Sequence, residues 1–257
     1  MLNFRNTNIF FILLLGALVA AHVKYGIPVY FYPLLFVLYV SIVFWGCYDV
    51  SSNFFIQIIC QAETDKKEIA ISFDDGPAVN YTSDILHILK QENVKASFFC
   101  IGKRIAGNEP ILKQIHEDGH LIGNHSFSHH FWFDLYAAKK MQDDLKQMDD
   151  EMQRVIGLKP KLFRPPYGVT NPNLKEAILA GGYTPIGWSV RSMDTVIKDE
   201  NKLLRKLNGA IQPGAVFLFH DTSKTTMHAL PAFIKEVKKR GYNIIPLDKL
   251  LALQAYA

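Results

Sequence analysis

The apolar positions divide the chain into two unequal parts. Two long apolar runs come first, and neither residues 6–23 nor residues 25–48 contain a Lys, Arg, Asp or Glu. From about residue 63, short β-rich runs alternate with longer segments in which apolar residues recur every three or four positions. A period of two is typical of strands and one near 3.6 is typical of helices, so the second part predicts alternating strands and helices.

Seven strands are predicted in this second part, at residues 69–73, 96–101, 121–123, 162–164, 185–189, 216–220 and 244–246. Six helices are predicted, at residues 83–91, 109–118, 134–156, 173–180, 200–210 and 227–240. We expect Asp134 to begin the longest helix and Gly157 to end it. Regular strand–helix alternation indicates an α/β fold with a parallel sheet, open or closed into a barrel, and ligands of such folds gather at the carboxyl ends of the strands.

The two N-terminal runs predict one or two transmembrane helices. The second run has Tyr30 and Tyr32 near one end and Trp45 and Tyr48 near the other, as is typical of segments that cross a bilayer. The first run is shorter in its strongly apolar part, so three arrangements remain open: a signal peptide, a hairpin of two spans, or one span with the first run in the interface. We expect residues 1–62 to form a membrane anchor with a short linker, and residues 63–257 to form a globular domain.

Basic residues near the second run bear on its orientation. Arg5 and Lys24 precede it, and no Lys or Arg follows until Lys66. The positive-inside rule therefore favours a domain outside the cytoplasm, with the anchor in the membrane. A hairpin would place Arg5 on the same side as the domain, against this rule.

Composition excludes several classes of protein. The chain has 257 residues, 49% of them apolar, and a net charge of +4 with no block of more than three like charges, which argues against a nucleic-acid groove. Its three cysteines, Cys47, Cys60 and Cys100, are odd in number and lack C-x-x-C spacing, which argues against a disulfide framework and against a zinc ribbon. The sequence indicates no oligomeric state.

Polar fragments stand at the ends of four predicted strands. They read Asp74-Asp75-Gly76-Pro77, His125-Ser126-Phe127-Ser128-His129, Arg164-Pro165-Pro166-Tyr167 and Leu218-Phe219-His220. Carboxylates that close a buried strand are costly unless they have a task or a partner. Carboxylate, histidine and arginine side chains at one edge of a sheet indicate a metal-assisted hydrolytic site.

Two histidines and two carboxylates suggest how an ion is held. His125 and His129 are four residues apart, and we expect them on one face of a helical turn, close enough to share an ion. This spacing alone is a weak signal, but Asp74 and Asp75 strengthen it, because one carboxylate can bind the ion while the other acts as a base.

The remaining polar residues at strand ends have simpler interpretations. We expect Arg164, if buried, to pair with Asp74. His220 becomes a candidate proton donor if it lies beside a metal site. His120 and His130 flank the histidine pair without fitting its face, and we interpret them as structural or solvated.

These fragments together resemble the polysaccharide deacetylase family, also called carbohydrate esterase family 4, which includes NodB-like chitooligosaccharide deacetylases. The resemblance covers about residues 67–250. It implies a distorted (β/α) barrel, usually with seven strands. It also implies hydrolytic removal of N-acetyl groups from an N-acetylated amino sugar polymer, such as peptidoglycan or a chitin-like oligosaccharide.

The resemblance implies roles for the residues around the ion. Asp75, His125 and His129 would bind a divalent metal, usually Zn²⁺, with Co²⁺ and Ni²⁺ as alternatives. Asp74 would be the general base that takes a proton from the attacking water, and Arg164 would orient Asp74.

Four further residues also match the family's motifs. The main-chain amide of Tyr167 would stabilise the tetrahedral oxyanion, and Leu218 would wall the acetyl pocket. His220 would protonate the leaving amine, and Asp194 would hold His220 in its cationic form.

One motif departs from the family's pattern. It usually reads D-x-x-D-W, but here Arg191 replaces the first acid and Thr195 replaces the tryptophan, while Asp194 remains. Loss of the tryptophan removes an aromatic wall of the acetyl pocket and so affects acyl preference. Arg191 either favours an anionic substrate or pairs with a nearby acid.

Three functions are compatible with these observations. The first is a membrane-anchored deacetylase of an acetylated envelope glycan. The second is the same chemistry on a lipid-linked sugar at the membrane surface, since the spacer between Tyr48 and Lys67 is short. The third is a non-catalytic relative that binds glycan, which the retained site residues disfavour. The expected partners are an acetylated glycan and a membrane, with no nucleic acid.

Overall fold

The computed structural model describes residues 2–257. Its strands are β1 Glu68–Asp74, β2 Ser97–Cys100, β3 Leu121–Asn124, β4 Leu162–Phe163, β5 Thr184–Pro185, β6 Val190–Arg191, β7 Val216–His220 and β8 Asn243–Ile244. Its helices are α1 Phe4–Tyr25, α2 Phe31–Tyr48, α3 Thr82–Gln91, α4 Glu109–Glu117, α5 Ala138–Ile156, α6 Pro172–Gly181, α7 Glu200–Gly209, α8 Lys224–Lys239 and α9 Leu247–Leu251. The alternation predicted from the sequence is therefore present.

The strands form one parallel sheet in the order β5-β4-β3-β2-β1-β7-β6, and β8 pairs with the start of β1. The sheet curls into a half barrel with helices packed on it, which is the predicted distorted (β/α) barrel. The strand β1 lies in the middle, between β2 and β7, and is buried from its second residue to its last. Because all pairs are parallel, the carboxyl ends of β1, β3, β4 and β7 meet at one edge of the sheet.

The predicted strand at residues 185–189 is wrong in its extent. Two short strands, β5 and β6, lie at its ends, and the residues between them belong to neither strand, although Ile186 still donates its N–H to the Phe163 carbonyl of β4 (2.8 Å). The reason is a competing hydrogen-bond donor, since the guanidinium of Arg164 donates to the carbonyls of Ile186 (3.4 Å) and Gly187 (2.8 Å). Carbonyls engaged by Arg164 are not used in strand pairing.

The linker after α2 lies along the gap between β5 and β6. Ile59 donates its N–H to the Pro185 carbonyl (3.1 Å) and accepts from the N–H of Gly187 (2.9 Å). The N–H of Ala62 donates to the Gly214 carbonyl, just before β7. Linker residues 59–62 are thus hydrogen-bonded to both sides of the gap.

The longest helix, α5, begins four residues later than predicted. Asp134 lies in a short 3₁₀ turn, Phe133–Leu135, and its main-chain carbonyl accepts from the side-chain amide of Asn171 (2.7 Å). The chain extends at Ala137 before the helix starts. The prediction for the other end is confirmed, because Gly157 ends α5 with φ 72° and donates its N–H to the Gln153 carbonyl.

The helices α1 and α2 pack against each other as an antiparallel hairpin. The Tyr39 hydroxyl donates to Asn8 Oδ1 (2.9 Å), and its ring contacts that of Phe11. At about 1.5 Å per residue, helices of 22 and 18 residues are about 33 and 27 Å long, close to the roughly 30 Å thickness of a bilayer core. Only 6% of each apolar window is buried, so neither is a core helix, and both are candidate membrane spans.

The start of α1 contacts the linker, and the end of α2 contacts a loop of the barrel. Phe4 donates its N–H to the Phe54 carbonyl (2.9 Å) near the start of α1. Near the end of α2, Thr170 donates its N–H to the Cys47 carbonyl (2.9 Å) and its hydroxyl to the Gly46 carbonyl (3.2 Å). Thr170 follows β4, so the membrane-type helices touch a loop at the same sheet edge as the polar fragments.

Candidate active site

The carboxylates of β1 stand at the edge where the strand turns. Asp74 is the last residue of β1 and is buried, and Asp75 follows in a left-handed conformation with φ 78°. Arg104 donates Nη1–H to the main-chain carbonyl of Asp75 (2.6 Å), which fixes this turn. The strained turn lets both carboxylates face one site although neighbours on a strand point to opposite sides.

Asp75, His125 and His129 form a compact group of metal-type donors. One donor atom from each residue can be chosen so that all lie within 4.8 Å of one another. The Asp75 Oδ1 atom is 3.7 Å from His125 Nε2 and 3.5 Å from His129 Nε2. The sequence prediction that these three residues meet is confirmed in geometry, while their roles as ligands remain predictions.

The histidine pair does not lie on a helical turn, so that prediction is wrong. Residues 125–129 form a loop in which Ser126 (φ 64°) and His129 (φ 42°) are left-handed. Asp144, from α5, accepts the main-chain N–H of Phe127 (2.8 Å). Such acceptors replace the bonds of a helix, and the loop still brings the His125 and His129 rings to 4.8 Å between centroids.

Both imidazoles present Nε2 toward Asp75. The His125 Nδ1–H donates to the Arg164 carbonyl (2.9 Å), which leaves its Nε2 as the free acceptor. Burial and the neighbouring His125 lower the pKa of His129 to about 4, so this ring is neutral at pH 7. Burial would raise the pKa of Asp75, but the imidazoles of His125, His129 and His220 bring it below its usual value.

This donor set fits a divalent cation. Two imidazoles and one carboxylate are three protein ligands of the kinds that catalytic zinc sites use, and three ligands leave positions for water and substrate. Orientation of a ligand histidine through its other nitrogen, as His125 has it, is also typical of metal sites.

Arg164 and Asp74 form the buried ion pair that the sequence predicts. Arg164 Nη1 lies 2.7 Å from Asp74 Oδ1 and also donates to Ser72 Oγ (2.8 Å). The guanidinium lies over the Phe99 ring, 4.0 Å from its centroid. Both charged residues are almost fully buried, so the pair fixes one oxygen of Asp74 firmly. The other oxygen, Oδ2, faces the metal-type group, 3.8 Å from His125 Nε2.

His220 and Asp194 form the second charged pair of the cleft. The Nδ1–H of His220 donates to Asp194 Oδ1 (2.7 Å), and the main-chain N–H of His220 donates to Asp194 Oδ2 (2.7 Å). The Thr226 hydroxyl also donates to Asp194 Oδ2. Burial would lower the pKa of His220, but the hydrogen bond and charge of Asp194 raise it overall. Burial would raise the pKa of Asp194, but the bonds and charge of His220 lower it.

Tyr167 lies beside His129, and Leu218 lies in β7 just before His220. Tyr167 is left-handed, with φ 59°, and its ring lies 4.7 Å from that of His129, centroid to centroid. Burial and the charges of Asp134 and Asp75 raise the pKa of the Tyr167 hydroxyl. Leu218 is buried in β7, two residues before His220. Their assigned roles, oxyanion donor and pocket wall, remain predictions.

The altered motif lies on the β6 side of the cleft. Arg191 is exposed at the end of β6, and its guanidinium lies 5.8 Å from the Trp188 ring centroid. Among residues 2–257, no carboxylate lies within ion-pair distance of Arg191. Thr195 is exposed as well, directly after the buried Asp194. Of the two interpretations of Arg191, the ion pair with a nearby acid is therefore excluded for the described part of the chain.

The sequence analysis missed Asp221 as a supporting residue of the site. The fully buried Asp221 lies beneath the turn after Asp75, where a Cβ on Gly76 would come 2.0 Å from its Oδ2. The Thr82 hydroxyl donates to that oxygen (2.7 Å), while Oδ1 has no partner, and burial raises the pKa of Asp221 to about 7. The only sequence signal was its place directly after His220.

The flanking histidines are outside the site, as predicted. His120 is buried, accepts the Ala96 N–H at Nδ1 (3.1 Å), and has a pKa lowered to about 4 by burial and by Lys95. His130 is exposed and stacks on the Tyr136 ring. The three cysteines are all free, in agreement with the sequence analysis.

Comparison with known families finds one match along this region. The family model described as polysaccharide deacetylase matches residues 61–186. Peptidoglycan-N-acetylmuramic acid deacetylase PdaA of Bacillus subtilis is 32% identical over 192 residues, which are 73% of this chain and 73% of that protein. Peptidoglycan-N-acetylglucosamine deacetylase PgdA of Listeria monocytogenes is 32% identical over 190 residues, 74% of this chain. The matched part is only 40% of the Listeria protein.

The fold has a close counterpart among solved structures. The Bc1960 peptidoglycan N-acetylglucosamine deacetylase superposes with a TM-score of 0.73 at 29% identity. The match covers 78% of this chain and 95% of that structure. The part left uncovered is about as long as the first fifty residues, where α1 and α2 lie.

Proposed function

The chain belongs to the polysaccharide deacetylase family, and from this we propose that it is a membrane-anchored, metal-dependent hydrolase that removes N-acetyl groups from an acetylated amino sugar polymer. One observation carries the proposal: a metal-type donor group, a free carboxylate oxygen and a carboxylate-bound histidine converge on one cleft. Metal-assisted amide hydrolysis uses a Lewis acid, a base for the attacking water and an acid for the leaving amine, and these three groups can supply them.

Asp75, His125 and His129 would hold a divalent cation. Mixed imidazole and carboxylate ligands favour Zn²⁺, with Co²⁺ and Ni²⁺ as alternatives. When bound, such an ion supplies a Lewis acid that polarises the amide carbonyl and makes water more acidic. The neutral state of His129 leaves its ring nitrogen available for this task.

Asp74 would take the proton from the attacking water. Its Oδ1 is occupied by Arg164, so only Oδ2 is directed at the metal-type group. Because one oxygen of Asp74 is held by Arg164, the other oxygen accepts the proton of the water from a fixed direction. Arg164 acts here only through Asp74, and its other hydrogen bonds, to Ser72 and Gly187, hold it in place.

His220 would donate a proton to the leaving amine. An amide nitrogen is a poor leaving group unless it is protonated, so an acid must face the base across the cleft. Asp194 raises the pKa of the imidazole and so favours its cationic form, and it engages Nδ1–H, which leaves Nε2–H for the substrate. The Tyr167 main-chain N–H would stabilise the oxyanion, and Leu218 would bound the space for the acetyl methyl group.

The substrate proposal rests on the named relatives. Both curated relatives and the solved structure carry names that specify peptidoglycan amino sugars. We infer an N-acetylated amino sugar in a glycan chain, such as peptidoglycan or a chitin-like oligosaccharide. Peptidoglycan lies outside the cytoplasmic membrane, so the domain of residues 63–257 would be extracytoplasmic. Arg5 at the domain end of the hairpin and Lys24 at its turn balance each other, so charge alone does not assign a side.

An acetate-release assay tests this function. The full chain is purified in detergent, stripped with a chelator, and incubated with acetylated chitooligosaccharides or peptidoglycan fragments, with and without Zn²⁺. We expect acetate only with metal, and none from His129→Ala. The exposed His228→Ala serves as the matched control and should retain activity. Zinc binding, measured by calorimetry, without acetate from any substrate would contradict the proposal.

A further inference from the structure

An exposed apolar patch lies directly beside the proposed active site. Phe131, Trp132 and Leu135, which we call the lip, are 69%, 56% and 74% exposed. Together with Asp134 and Tyr167 they line a pocket of about 280 Å³. The lip begins two residues after His129, whose ring contacts Tyr167. Large apolar side chains grouped on a surface mark a site of contact with a partner or a membrane.

Two hydrogen-bonded steps join the lip to the end of α2. The side-chain amide of Asn171 donates to the Asp134 carbonyl (2.7 Å), inside the lip segment. The preceding residue, Thr170, donates to the carbonyls of Cys47 and Gly46 (2.9 and 3.2 Å) in the last turn of α2. The lip is therefore held beside this helix end and cannot move far from it.

Aromatic residues mark the depth of that helix end. Trp45 and Tyr48 are 42% and 67% exposed on the last turn of α2, on either side of the carbonyls that hold Thr170. Trp and Tyr concentrate at the boundary between lipid headgroups and acyl chains. An 18-residue helix is also just long enough to end at this boundary. The lip is tied by two hydrogen-bonded steps to the helix end that carries these aromatic residues.

Charges around the lip fit a lipid surface. Lys139 and Lys140 follow it at the start of α5 and are exposed. Lys139 is paired with Asp143 (2.6 Å), whereas the Lys140 ammonium lies 3.5 Å from the Tyr136 ring centroid. Basic residues next to exposed aromatics attract anionic headgroups. The one acid in the lip segment, Asp134, is half-buried, and burial raises its pKa to about 6.

We propose that Phe131, Trp132 and Leu135 insert into the headgroup region of the membrane that α1 and α2 cross, so that the active site acts on amino sugars presented at the bilayer surface. This inference rests on the proposed function, which supplies the anchor and the chemistry, and deepens it. The substrate class that fits is an acetylated sugar joined to a membrane lipid. A soluble glycan that stacks on the same aromatic rings is the competing occupant.

Site-specific fluorescence tests the position of the lip. Cys47 and Cys60 are replaced by Ala in the full chain, while the fully buried Cys100 is kept. An environment-sensitive fluorophore is then attached after Leu135→Cys, or after Val196→Cys as the matched control, because Val196 is a similarly exposed apolar residue (67%) in the loop after β6. A third label, after Phe36→Cys in the middle of α2, reports the anchor itself. Each protein is reconstituted in phospholipid nanodiscs with and without nitroxide-labelled phosphatidylcholine.

We expect the label at position 135 to shift to shorter wavelength and to lose most of its emission to lipid nitroxides, while the label at position 196 does neither. Quenching at position 36 without quenching at position 135 overturns the inference but leaves the anchor standing. Absence of quenching at both positions contradicts the anchor and the lip together. If soluble chitooligosaccharide shifts the emission of the label at position 135 and lipid nitroxides do not quench it, the lip binds sugar instead of lipid.

Quenching of the native tryptophans tests the same position without cysteine substitutions or labels. The native chain contains Trp45, Trp132 and Trp188. Lipids brominated near the headgroup should quench part of the tryptophan emission, and Trp132→Phe should remove part of that quenched fraction. An unchanged quenched fraction in Trp132→Phe would overturn the inference.

Discussion

On the β1 side of the cleft a buried cation holds a carboxylate, whereas on the β7 side a buried carboxylate holds an imidazole. In each pair the supporting residue, Arg164 or Asp194, is fully buried, and the residue proposed to react faces the cleft. The two supports differ in the charge they carry and in what that charge does. Arg164 has bonds to a hydroxyl and two main-chain carbonyls besides Asp74. Asp194 accepts the Nδ1–H and the main-chain N–H of His220 and also the Thr226 hydroxyl.

This contrast suggests that the buried charge on the β1 side fixes the position of Asp74, whereas the buried charge on the β7 side governs the protonation of His220. Burial makes a pair costly to break, because the remaining charge has no solvent. A carboxylate bonded to an imidazole instead raises the pKa of that imidazole and so favours its protonated form. Substitutions on the two sides should therefore fail in different ways.

The largest effect is expected from removal of the base. Asp74→Asn keeps the shape of the side chain and a partner for Arg164, but it cannot accept a proton, so kcat should fall by about 10²–10⁴. Zinc affinity should stay close to that of the native chain, because Asp74 is not among the three proposed ligands. Acetate release and calorimetry measure the two quantities. Asp84→Asn, on the exposed face of α3, is the control. Full activity of Asp74→Asn would remove it from the mechanism.

Arg164→Met sharpens the comparison through stability. The substitution leaves the buried Asp74 carboxylate without its partner, so the free energy of unfolding should fall by about 3–5 kcal/mol. Denaturant unfolding in detergent measures this change. Arg154→Met, which removes an exposed guanidinium with two surface ion pairs, should change stability little. Equal effects of the two substitutions would contradict a special role for burial on the β1 side.

Asp194→Asn tests the β7 side through pH. His220 must be protonated to act, and Asp194 raises its pKa, so activity should be lost as pH rises through that raised value. Without the Asp194 charge the pKa of His220 falls, and the alkaline limb of the kcat profile should move to lower pH. The pair stabilises the fold fully between the unfolded-state pKa of aspartate and that of histidine, about 6.5. This stability is lost as the pH rises through the raised pKa of His220. It is also lost as the pH falls through the lowered pKa of Asp194. An unmoved alkaline limb would assign the acid elsewhere.

The smallest effect is expected at Arg191. Its exposed guanidinium has no carboxylate partner in the described chain, so it is available to an anionic substrate. Arg191→Gln should raise KM for a muramic-acid-containing glycan about two- to fivefold, the worth of an exposed ion pair, and leave KM for neutral chitooligosaccharide unchanged. The two KM values in parallel assays decide this. A rise for both substrates would indicate a structural role on the β6 side.

The sequence predicted the site well where charged residues stood next to buried apolar strands. Asp74 and Arg164 stood out because charges next to buried strands need partners, and the structure pairs them. The helical turn for His125 and His129 was wrong because spacing says nothing of the positive φ values at Ser126 and His129, which depend on Asp144 from a distant helix. Asp221 was missed for the same reason, since its partner Thr82 is 139 residues away.

Strand extents were the weakest part of the fold prediction. Residues 185–189 have the composition of a strand, but Arg164 takes the carbonyls of Ile186 and Gly187 and so divides it. No local pattern contains that information. The two ends of α5 differed in the same way. Gly157 was predictable as the end because it lacks a side chain. The start was not, because the side-chain amide of Asn171 donates to the Asp134 carbonyl and holds Asp134 outside the helix.

The linker at the gap between β5 and β6 has a consequence for any released form of the protein. Residues 59–62 supply hydrogen bonds to Gly187 and to the Gly214 carbonyl, and Ile58 is buried nearby. A protease that cut after residue 62 would therefore free a barrel with an unsealed edge, directly behind the guanidinium of Arg164. Release from the helical hairpin and loss of catalytic competence would then be a single event.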